Sequence, residues 1–392
     1  MTRYVEHGPT GLMAPPWKSK DTASWLIVLP IDDDEGVVDY LEYLNGSNDQ
    51  PAVDAAPFTY ELLEGQQYAF LTVTHHPHAV RTDPDSPPGS ELMGWNRMKF
   101  TEVSLSIRVG RRYKPVWPSP ERQDQVWVQP FVWYDNPTMV FSAREIWGAP
   151  AEYMRIDRHE GAEFGKFLHL DTAYVGVEVY CPFSYNELLA ALHLTIDAGA
   201  PMRPAHLQAV ERPLRSLLGQ LTGIGAKSRR GAAGPIGEVA FEIDALKEFR
   251  SAENMQLAIY RALVSSHLKW DHAPREVRWH DPAKIAVDFM WSAGLNDLLR
   301  KFLRLAPPAE CDQKVPAVFD EFNPTPPRPA CHCGAPFPHS PDRPPPPTQP
   351  GKPPQHICWD LYRLPATPKL CFSYKADLTF DEAKAKHVYQ LA

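Results

Sequence analysis

The sequence predicts an α+β protein built on a large antiparallel β-barrel or cone, with a helical insertion and a proline-rich loop. Three observations lead to this prediction: successive strand-like segments without helices between them, a later change to helical spacing, and a dense run of prolines. We interpret the 392 residues as one domain, 1–392, with the insertion at 185–237 and the loop at 323–357.

The strand-like segments fill much of the first half of the chain. They are rich in β-branched and aromatic residues, several alternate with a period of two, and Pro, Asp, Asn and Gly separate them. The segments are 25–30, 68–74, 100–109, 125–134 and 166–179. Because no helical pattern intervenes, we expect neighbouring segments to pair as antiparallel strands.

Helical spacing and proline dominate the later part of the chain. The segments with apolar residues at helical spacing are 185–198, 205–220, 251–268 and 286–305. Between 323 and 354 there are 14 prolines in 32 residues, which excludes a packed helix or a central strand. Since 358–374 again has strand character, the proline-rich stretch is expected to leave the main sheet and return to it.

Composition restricts the partners and the location. The formal net charge is −8, without a basic block, which argues against nucleic acid and against an anionic membrane surface as the main partner. The first residues lack the apolar core of a secretory signal, and no apolar run reaches the roughly 18 residues of a membrane span. We therefore expect a cytoplasmic protein.

The most informative stretch runs from 128 to 156 and reads VQPFVWYDNPTMVFSAREIWGAPAEYMRI. It resembles the acetoacetate decarboxylase family, whose members carry a strand, a short Asp/Asn-rich turn and then a Gly-Arg-Glu-hydrophobic-x-Gly/Ala-x-Pro-Lys-Lys run. The matching residues here are Asp135, Asn136, Arg144, Glu145, Ile146, Trp147, Gly148 and Pro150.

Weaker similarities lie on either side of that stretch. Phe100-Thr101-Glu102 is similar to the family's aromatic-x-Glu strand, and 246–250 and 260–264 are similar to a segment found in relatives of the family. The resemblance implies the barrel fold, a small organic acid or ketone in its interior, and no required cofactor. It also implies a possible homo-oligomer, because relatives form symmetric assemblies.

One departure from the family pattern concerns its chemistry. Where the family has two lysines after the proline, this sequence has Ala151 and Glu152. The first family lysine forms a Schiff base with a ketone, and its lowered pKa keeps the amine free. Alanine cannot form an imine, and a glutamate would raise the pKa of a nearby lysine. The resemblance therefore implies a diverged member without the usual mechanism.

Three other lysines are candidates to replace the missing one. Lys99 is close in sequence to Glu102, but residues an odd number apart on a regular strand point to opposite faces. Lys166 and Lys247 have nothing in the local sequence that marks them as buried. A displaced Schiff-base lysine is therefore the less favoured interpretation.

A polar set remains from the family pattern as catalytic candidates: Glu102, Arg144 and Glu145. Glu102 matches a glutamate that points into the family's cavity. Arg144 is suited to hold a substrate carboxylate through a bidentate pair. Alternatively, Arg144 and Glu145 form a structural ion pair, an interpretation of equal weight.

Two groups of residues have the chemistry of metal ligands. The first is Cys331, Cys333, His356 and Cys358, with His332 and His339 between them, which would suit a structural Zn²⁺ clip for the proline-rich loop. Exposed loop residues are the default interpretation, because the spacing is not a standard one. The second is His75-His76-Pro77-His78, in which two histidines two apart on a strand would share a face.

Three function classes follow from these observations. The first is a diverged lyase-like enzyme that acts on a keto acid or ketone without the usual Schiff base. The second is a non-catalytic ligand-binding or scaffold protein that retains the barrel. The third is a metalloprotein that uses the Cys/His-rich loop.

Overall fold

A computed structural model describes most of the chain from Trp17 to Tyr389. The described residues are 17–31, 34–45, 58–63, 68–81, 97–113, 123–174, 187–208, 215, 240–250, 258–271, 274–290, 356–358, 363–380 and 384–389. Most of them lie in β-strands, and no described helix is long and apolar enough to cross a membrane.

The described strands and helices follow one another in this order. The strands are β1 Trp17–Pro30, β2 Phe58–Leu62, β3 Tyr68–Arg81, β4 Arg97–Tyr113, β5 Gln123–Tyr134, β6 Ala151–Glu160, β7 Leu168–Tyr174, β8 Glu187–Ile196, β9 Ala200–Pro201, β10 Ala240–Arg250, β11 Ala258–Trp270, β12 Arg275–His280, β13 Ile285–Met290, β14 His356–Cys358, β15 Arg363–Ala366, β16 Leu370–Phe380 and β17 Lys384–Tyr389. The helices are α1 Asp34–Asn45, α2 Pro137–Ser142 and α3 Pro204–Gln208, with a π-helix at Ala143–Trp147 and a 3₁₀ turn at Pro282–Lys284.

Seven of these strands close into a barrel. Going around it, β1 pairs with β3, then β4, β5, β10, β11 and β16 follow, and β16 pairs again with β1. All of these pairings are antiparallel except β5 with β10. The predicted large antiparallel barrel is therefore confirmed.

A second sheet covers one side of the barrel. It runs β6, β7, β8, β13 and β15, and β14 lies beside the start of β8. The main hydrophobic core lies between the two, where barrel side chains such as Trp25 and Leu105 pack with Leu170, Leu194 and Phe289 of the second sheet. Because successive strand residues point to opposite faces, the alternate residues of the barrel strands point into its interior.

Two β-bulges change which residues face inward near one end of the barrel. In β1 the register against β16 shifts between Ser19 and Thr22, and Asp21 in this bulge has a φ of 53°. In β3 the register against β4 shifts between His76 and Ala79. One extra residue in each strand reverses the alternation beyond the bulge, so Trp17 and Ala79 both join the interior cluster.

The parallel junction between β5 and β10 is the seam of the barrel. Only two aligned pairs join these strands, Ile243 with Trp127 and Asp244 with Val128. Arg111 of β4, which is 1% exposed, crosses the seam. Its guanidinium donates to Asp124 of β5 at 3.3 Å and to Asp244 of β10 at 2.8 Å. Side-chain ion pairs therefore reinforce a short ladder.

Further partners complete the seam network. Arg111 also donates to Glu242 at 3.0 Å and to Ser265 of β11 at 3.3 Å. The hydroxyl of Tyr60, on β2, donates to Asp244 at 2.7 Å. The network therefore links five strands: β2, β4, β5, β10 and β11.

The sequence-based helices are wrong wherever the structure describes them as strands. Segment 185–198 contains β8, segment 251–268 contains most of β11, and 286–305 begins with β13. In β8, Leu192, Leu194 and Ile196 face the core, an alternation that the leucine-rich and alanine-rich composition masks. Pairing with β7 and β13 overrides the helical propensity of these residues. Of the predicted insertion at 185–237, the described residues form β8, β9 and α3, with residue 215 also helical.

Candidate functional site

A continuous row of polar side chains crosses the barrel interior. Five residues stand directly opposite one another on five neighbouring strands: Tyr374 of β16, Ser24 of β1, Thr74 of β3, Glu102 of β4 and Tyr134 of β5. Register alone brings them together, since each is the paired residue of the next. We call these five residues the acid row.

Hydrogen bonds join members of the acid row. The hydroxyl of Ser24 donates to that of Thr74 at 3.3 Å, and Ser24 is also hydrogen-bonded to the phenol of Tyr374. At the other end, Tyr134 and the neighbouring Ser104 form hydrogen bonds with the carboxyl group of Glu102. The one carboxyl group of the row is thus surrounded by hydroxyl groups.

The surroundings of Glu102 favour its neutral form. Burial raises the pKa of Glu102, and the hydrogen bonds from Ser104 and Tyr134 oppose that shift without cancelling it. Burial and the nearby Glu102 hold the pKa of Tyr134 well above its ordinary value, and burial raises that of Tyr374 to about 12. A neutral carboxyl between neutral phenols can donate a hydrogen bond to an acceptor or exchange a proton with it.

Glu102 differs from the rest of its row in exposure. Ser24, Thr74, Tyr134 and Tyr374 are all buried, whereas Glu102 is only partly buried although it lies inside the barrel. The accessible surface that remains in the row therefore belongs to Glu102, although its carboxyl group itself is shielded from water. Glu102 is recognisable in the sequence through the family pattern, whereas nothing in the sequence marks its four partners.

An aromatic cluster lies beside the acid row. His76, directly opposite Phe100 on the next strand, stacks on that ring at 4.3 Å between centroids, and Phe100 contacts Tyr134 at 5.8 Å. Trp17 contacts His76 at 5.5 Å, and Trp147 contacts Trp17 at 6.3 Å. Phe380 stacks on Trp17 at 5.2 Å. Burial lowers the pKa of His76 to about 3, so this ring is neutral at ordinary pH.

The motif that resembles the family, from Asn136 to Ala151, packs against this cluster. The side chain of Asn136 caps α2 by accepting from the backbone N–H of Thr138 at 2.9 Å, and Pro137 occupies the first helical turn. The π-helix then carries Trp147 into the cluster and ends at Gly148, whose φ is 72°. A Cβ atom on Gly148 would lie 2.5 Å from Cβ of Lys247, so glycine is required for both reasons.

The other two catalytic candidates lie in the π-helix, outside the barrel strands. Arg144 is exposed on the π-helix and acts electrostatically on Glu152, which is also exposed. Of Glu145 the described part is its backbone in the same helix. No contact joins Arg144 to Glu102 within the described residues. That Arg144 holds a substrate carboxylate stays a prediction.

Burial distinguishes Ala151, which stands at the position of the family's lysine, from the three lysines that could replace it. Ala151 is fully buried at the start of β6, opposite Val132. Lys99 is exposed, and Lys166 is exposed and paired with Glu163 at 3.0 Å. Lys247 is half-buried, and by alternation it lies on the same face of β10 as Phe241 and Ala245.

Neither metal hypothesis gains support. No group of three or more His, Cys, Asp or Glu residues in the described ranges has the arrangement of a metal site. The bulge at Pro77 separates the histidines, because His76 is buried against Trp17 and Phe100 whereas His78 is exposed. Cys331 and Cys333 lie outside the described residues, and of His356 and Cys358 the structure describes the backbone as β14. A Zn²⁺ site in that loop stays a prediction.

A second polar arrangement lies on the far face of the second sheet. Asp171, which is buried, accepts from Nδ1 of His193 at 2.6 Å, and Nε2 of His193 is 3.2 Å from the hydroxyl of Thr195. Asp171 and His193 are directly paired residues of β7 and β8. We interpret this arrangement as a cross-strand tie between them.

Solved structures similar to this chain include acetoacetate decarboxylases and related enzymes. The acetoacetate decarboxylase from Legionella pneumophila is 12% identical, with a TM-score of 0.46 over 100% of this chain and 93% of that chain. The enduracididine biosynthesis enzyme MppR complexed with pyruvate is 11% identical, with a TM-score of 0.46 over 95% and 91%. An acetoacetate decarboxylase-like enzyme from Sphingomonas wittichii RW1 is 10% identical, with a TM-score of 0.44 over 94% and 91%.

No protein-family model and no curated protein matches the sequence. At these identities and TM-scores, the substrates and the chemistry of those proteins cannot be transferred to this chain.

Proposed function

We propose that the protein binds a small carbonyl compound, a ketone or keto acid, inside the barrel, and that the neutral carboxyl of Glu102 donates a hydrogen bond to its carbonyl oxygen. The observation that supports the proposal is the acid row, which sets one carboxyl group with a raised pKa among hydroxyl groups inside the barrel. A buried carboxyl of this kind serves in other enzymes as a general acid.

The chemistry that follows is lyase-like and proceeds through an enol. When the bond between the α-carbon and the carboxylate of a keto acid breaks, carbon dioxide leaves, and the electron pair left on the α-carbon forms a C=C bond with the former carbonyl carbon. The carbonyl oxygen takes the proton of Glu102. Water then supplies a proton to the α-carbon of the enol, and the enol proton returns to Glu102. No imine is required, which fits alanine at position 151.

A non-catalytic binding role is the second candidate. The observation that favours it is the buried Ala151, since the residue on which the family mechanism depends is replaced by an inert side chain in the core. Binding without turnover would then be the function of the barrel interior.

The test uses NMR to measure how fast deuterium exchanges at the α-carbon of acetone, pyruvate and acetoacetate. The same spectra report whether acetoacetate loses its carboxyl group. We expect the wild type to accelerate exchange, and Glu102→Gln to lose about 10²–10⁴-fold of the acceleration. Glu152→Gln, an exposed carboxyl on the same motif, is the matched control and should retain it.

Borohydride trapping read by intact mass runs beside the exchange assay. The wild type should give no adduct, whereas Ala151→Lys should gain one if the interior still admits these compounds. A wild-type adduct would contradict the proposal and, by peptide mapping, would identify a displaced lysine such as Lys247. Binding without exchange would favour the second candidate, and the absence of both would overturn the two together.

A further inference from the structure

A lysine on β10 faces the same interior as the acid row. Lys247 lies on the side of β10 that carries Ile243, and Ile243 is paired with Trp127 across the seam. Phe241, on the same side, contacts Trp127 at 5.8 Å and Trp270 at 5.6 Å between ring centroids. Trp270 in turn contacts a tyrosine of the acid row at 5.3 Å. Register and ring contacts therefore agree that this side of β10 points into the barrel.

The turn that ends the family motif lies against Lys247. A Cβ atom on Gly148 would be 2.5 Å from Cβ of Lys247 and 2.6 Å from its Cα, so the turn and β10 touch at this point. At its other end the turn reaches Ala151, which is opposite the β5 residue that pairs with Ser104 of β4. Glu102 lies two residues from Ser104 on the same face of β4. Lys247 and Glu102 therefore approach the same turn from its two sides.

Water-accessible surface inside the barrel lies on the side of β4 and β10. Glu102 and Ser106 of β4, and Ile243 and Lys247 of β10, are partly exposed although their strands place them inside. The inward residues on the opposite side, on β1 and β16, are instead buried: Ser24, Leu26, Phe372 and Tyr374. Small residues also flank Lys247, since Ala262 is directly opposite it on β11. A ligand beside the acid row would therefore lie between β4 and β10.

The charges on this side of the interior favour an anionic ligand. β4 carries Glu102 and Arg108 on its inward face, and β10 carries Lys247. Burial raises the pKa of Glu102 and favours its neutral form, so these three positions together contribute positive charge. Arg108, which donates to the side chain of Gln125, lies about 20 Å along β4 from Glu102 at the rise of a strand. A short keto acid cannot span that distance, so Lys247 is the better placed of the two cations.

Resting on the proposed function, we infer that Lys247 binds the carboxylate of the ligand, so that the barrel selects a short keto acid over a neutral ketone. The carbonyl oxygen accepts from Glu102, and the carboxylate accepts from the ammonium group of Lys247. The lysine stays an ammonium and forms no imine. Because the ion pair is given up when carbon dioxide leaves, it contributes to binding and not to the rate of the bond-breaking step.

The test compares two probes of similar shape and different charge. Pyruvate and pyruvamide share the methyl ketone, but the second carries a neutral amide in place of the carboxylate. Isothermal titration at pH 7 measures the binding of each to the full chain. We expect the wild type to bind pyruvate about tenfold more tightly than pyruvamide. Lys247→Met should remove most of this preference and bind pyruvamide as the wild type does.

Further variants identify the cation that acts on the carboxylate. Lys247→Arg keeps the charge and should retain a preference for pyruvate. Lys99→Met removes an exposed lysine and is the matched control, which should bind both probes as the wild type does. Arg108→Met and Arg144→Met remove the two competing cations. Methionine at position 247 keeps the Cβ atom that lies against Gly148, and circular dichroism melting checks that each variant is folded.

The outcomes separate the inference from the proposed function. Equal binding of the two probes by the wild type, or a preference that Lys247→Met leaves intact, would overturn the inference and leave the proposed function standing. Loss of the preference in Arg108→Met or Arg144→Met alone would place the carboxylate at that arginine and overturn the inference too. An imine trapped at Lys247, or no binding of pyruvate, pyruvamide or acetone, would overturn both.

Discussion

A single carboxyl group, Glu102, carries most of the functional argument, and its properties come from its neighbours. The sequence marks it only through Phe100-Thr101-Glu102, because nothing in the local residues shows that it will face Tyr134 and Thr74. Those contacts depend on strand register, which a single sequence does not encode locally. The acid itself could thus be predicted, and its row could not.

Replacing Glu102 by glutamine should change how stability depends on pH. Burial raises the folded-state pKa of Glu102, so the folded protein holds this proton more tightly than the unfolded chain does. Wild-type stability therefore falls as pH rises from about 4.5 through the folded-state pKa, and Glu102→Gln removes this loss. Melting curves should show the variant gaining about 1–3 °C on the wild type between pH 4 and pH 8. A difference in melting temperature between the two proteins that does not change with pH would contradict the raised pKa.

The buried His76 should make the stability of the protein fall as the pH is lowered, which is the opposite of the effect of Glu102. Burial lowers its folded-state pKa to about 3, so between pH 6.5 and 3 the unfolded chain binds a proton that the folded protein excludes. Stability should therefore fall as pH drops through that window, by up to about 1.4 kcal/mol per pH unit for this group. His76→Phe keeps an aromatic ring but cannot bind the proton. Between pH 7 and pH 5, its unfolding free energy, measured by urea denaturation, should fall by about 2 kcal/mol less than that of the wild type. An equal loss in both proteins would be the contrary result.

At the scale of the element, the segment from Asn136 to Ala151 was noted in sequence as a match to the family pattern, and its short helices were not predicted although local signals for them are present. Its Asn cap, its proline in the first turn and its glycine end all carry local signals. The predicted helices at 185–198 and 251–268 failed for the opposite reason. Their leucine and alanine content favours helix locally, and only the partners β7, β13 and β10 make them strands.

Gly148 should not tolerate a side chain. Gly148→Ala combines a positive φ with a Cβ atom 2.5 Å from Cβ of Lys247, and should destabilise the protein by about 1–3 kcal/mol. Asparagine adopts positive φ more readily, so Gly148→Asn separates the two causes. If close packing dominates, both variants lose similar stability in denaturant titrations. If the asparagine variant is as stable as the wild type, the close approach to Lys247 is not a constraint.

At the scale of the whole molecule, the barrel depends on the closure between β5 and β10. The antiparallel strands of the first half predicted a barrel, and the order of pairing within it was not predictable because β10 lies more than a hundred residues after β5. The polar network that bridges this seam was not predicted either. Arg111, Asp124, Glu242 and Asp244 look like ordinary surface charges in sequence.

Removing Arg111 should therefore be far more damaging than removing its neighbour. Arg111→Ala leaves the buried Asp244 without its cation and should cost about 3–5 kcal/mol of unfolding free energy. Arg112→Ala breaks an exposed pair with Glu61 and should cost no more than about 1 kcal/mol. Urea denaturation of both variants measures the contrast. Similar losses for the two arginines would contradict the role given to the seam.

The most direct test of the central claim is a ¹³C NMR titration of the Glu102 carboxyl in protein labelled at glutamate, assigned by its absence in Glu102→Gln. We predict a carboxyl resonance that titrates above the ordinary glutamate range and moves when acetone or pyruvate is added. A resonance that titrates at or below about 4.5 and ignores the ligand would contradict a neutral carboxyl as the centre of a carbonyl-binding site.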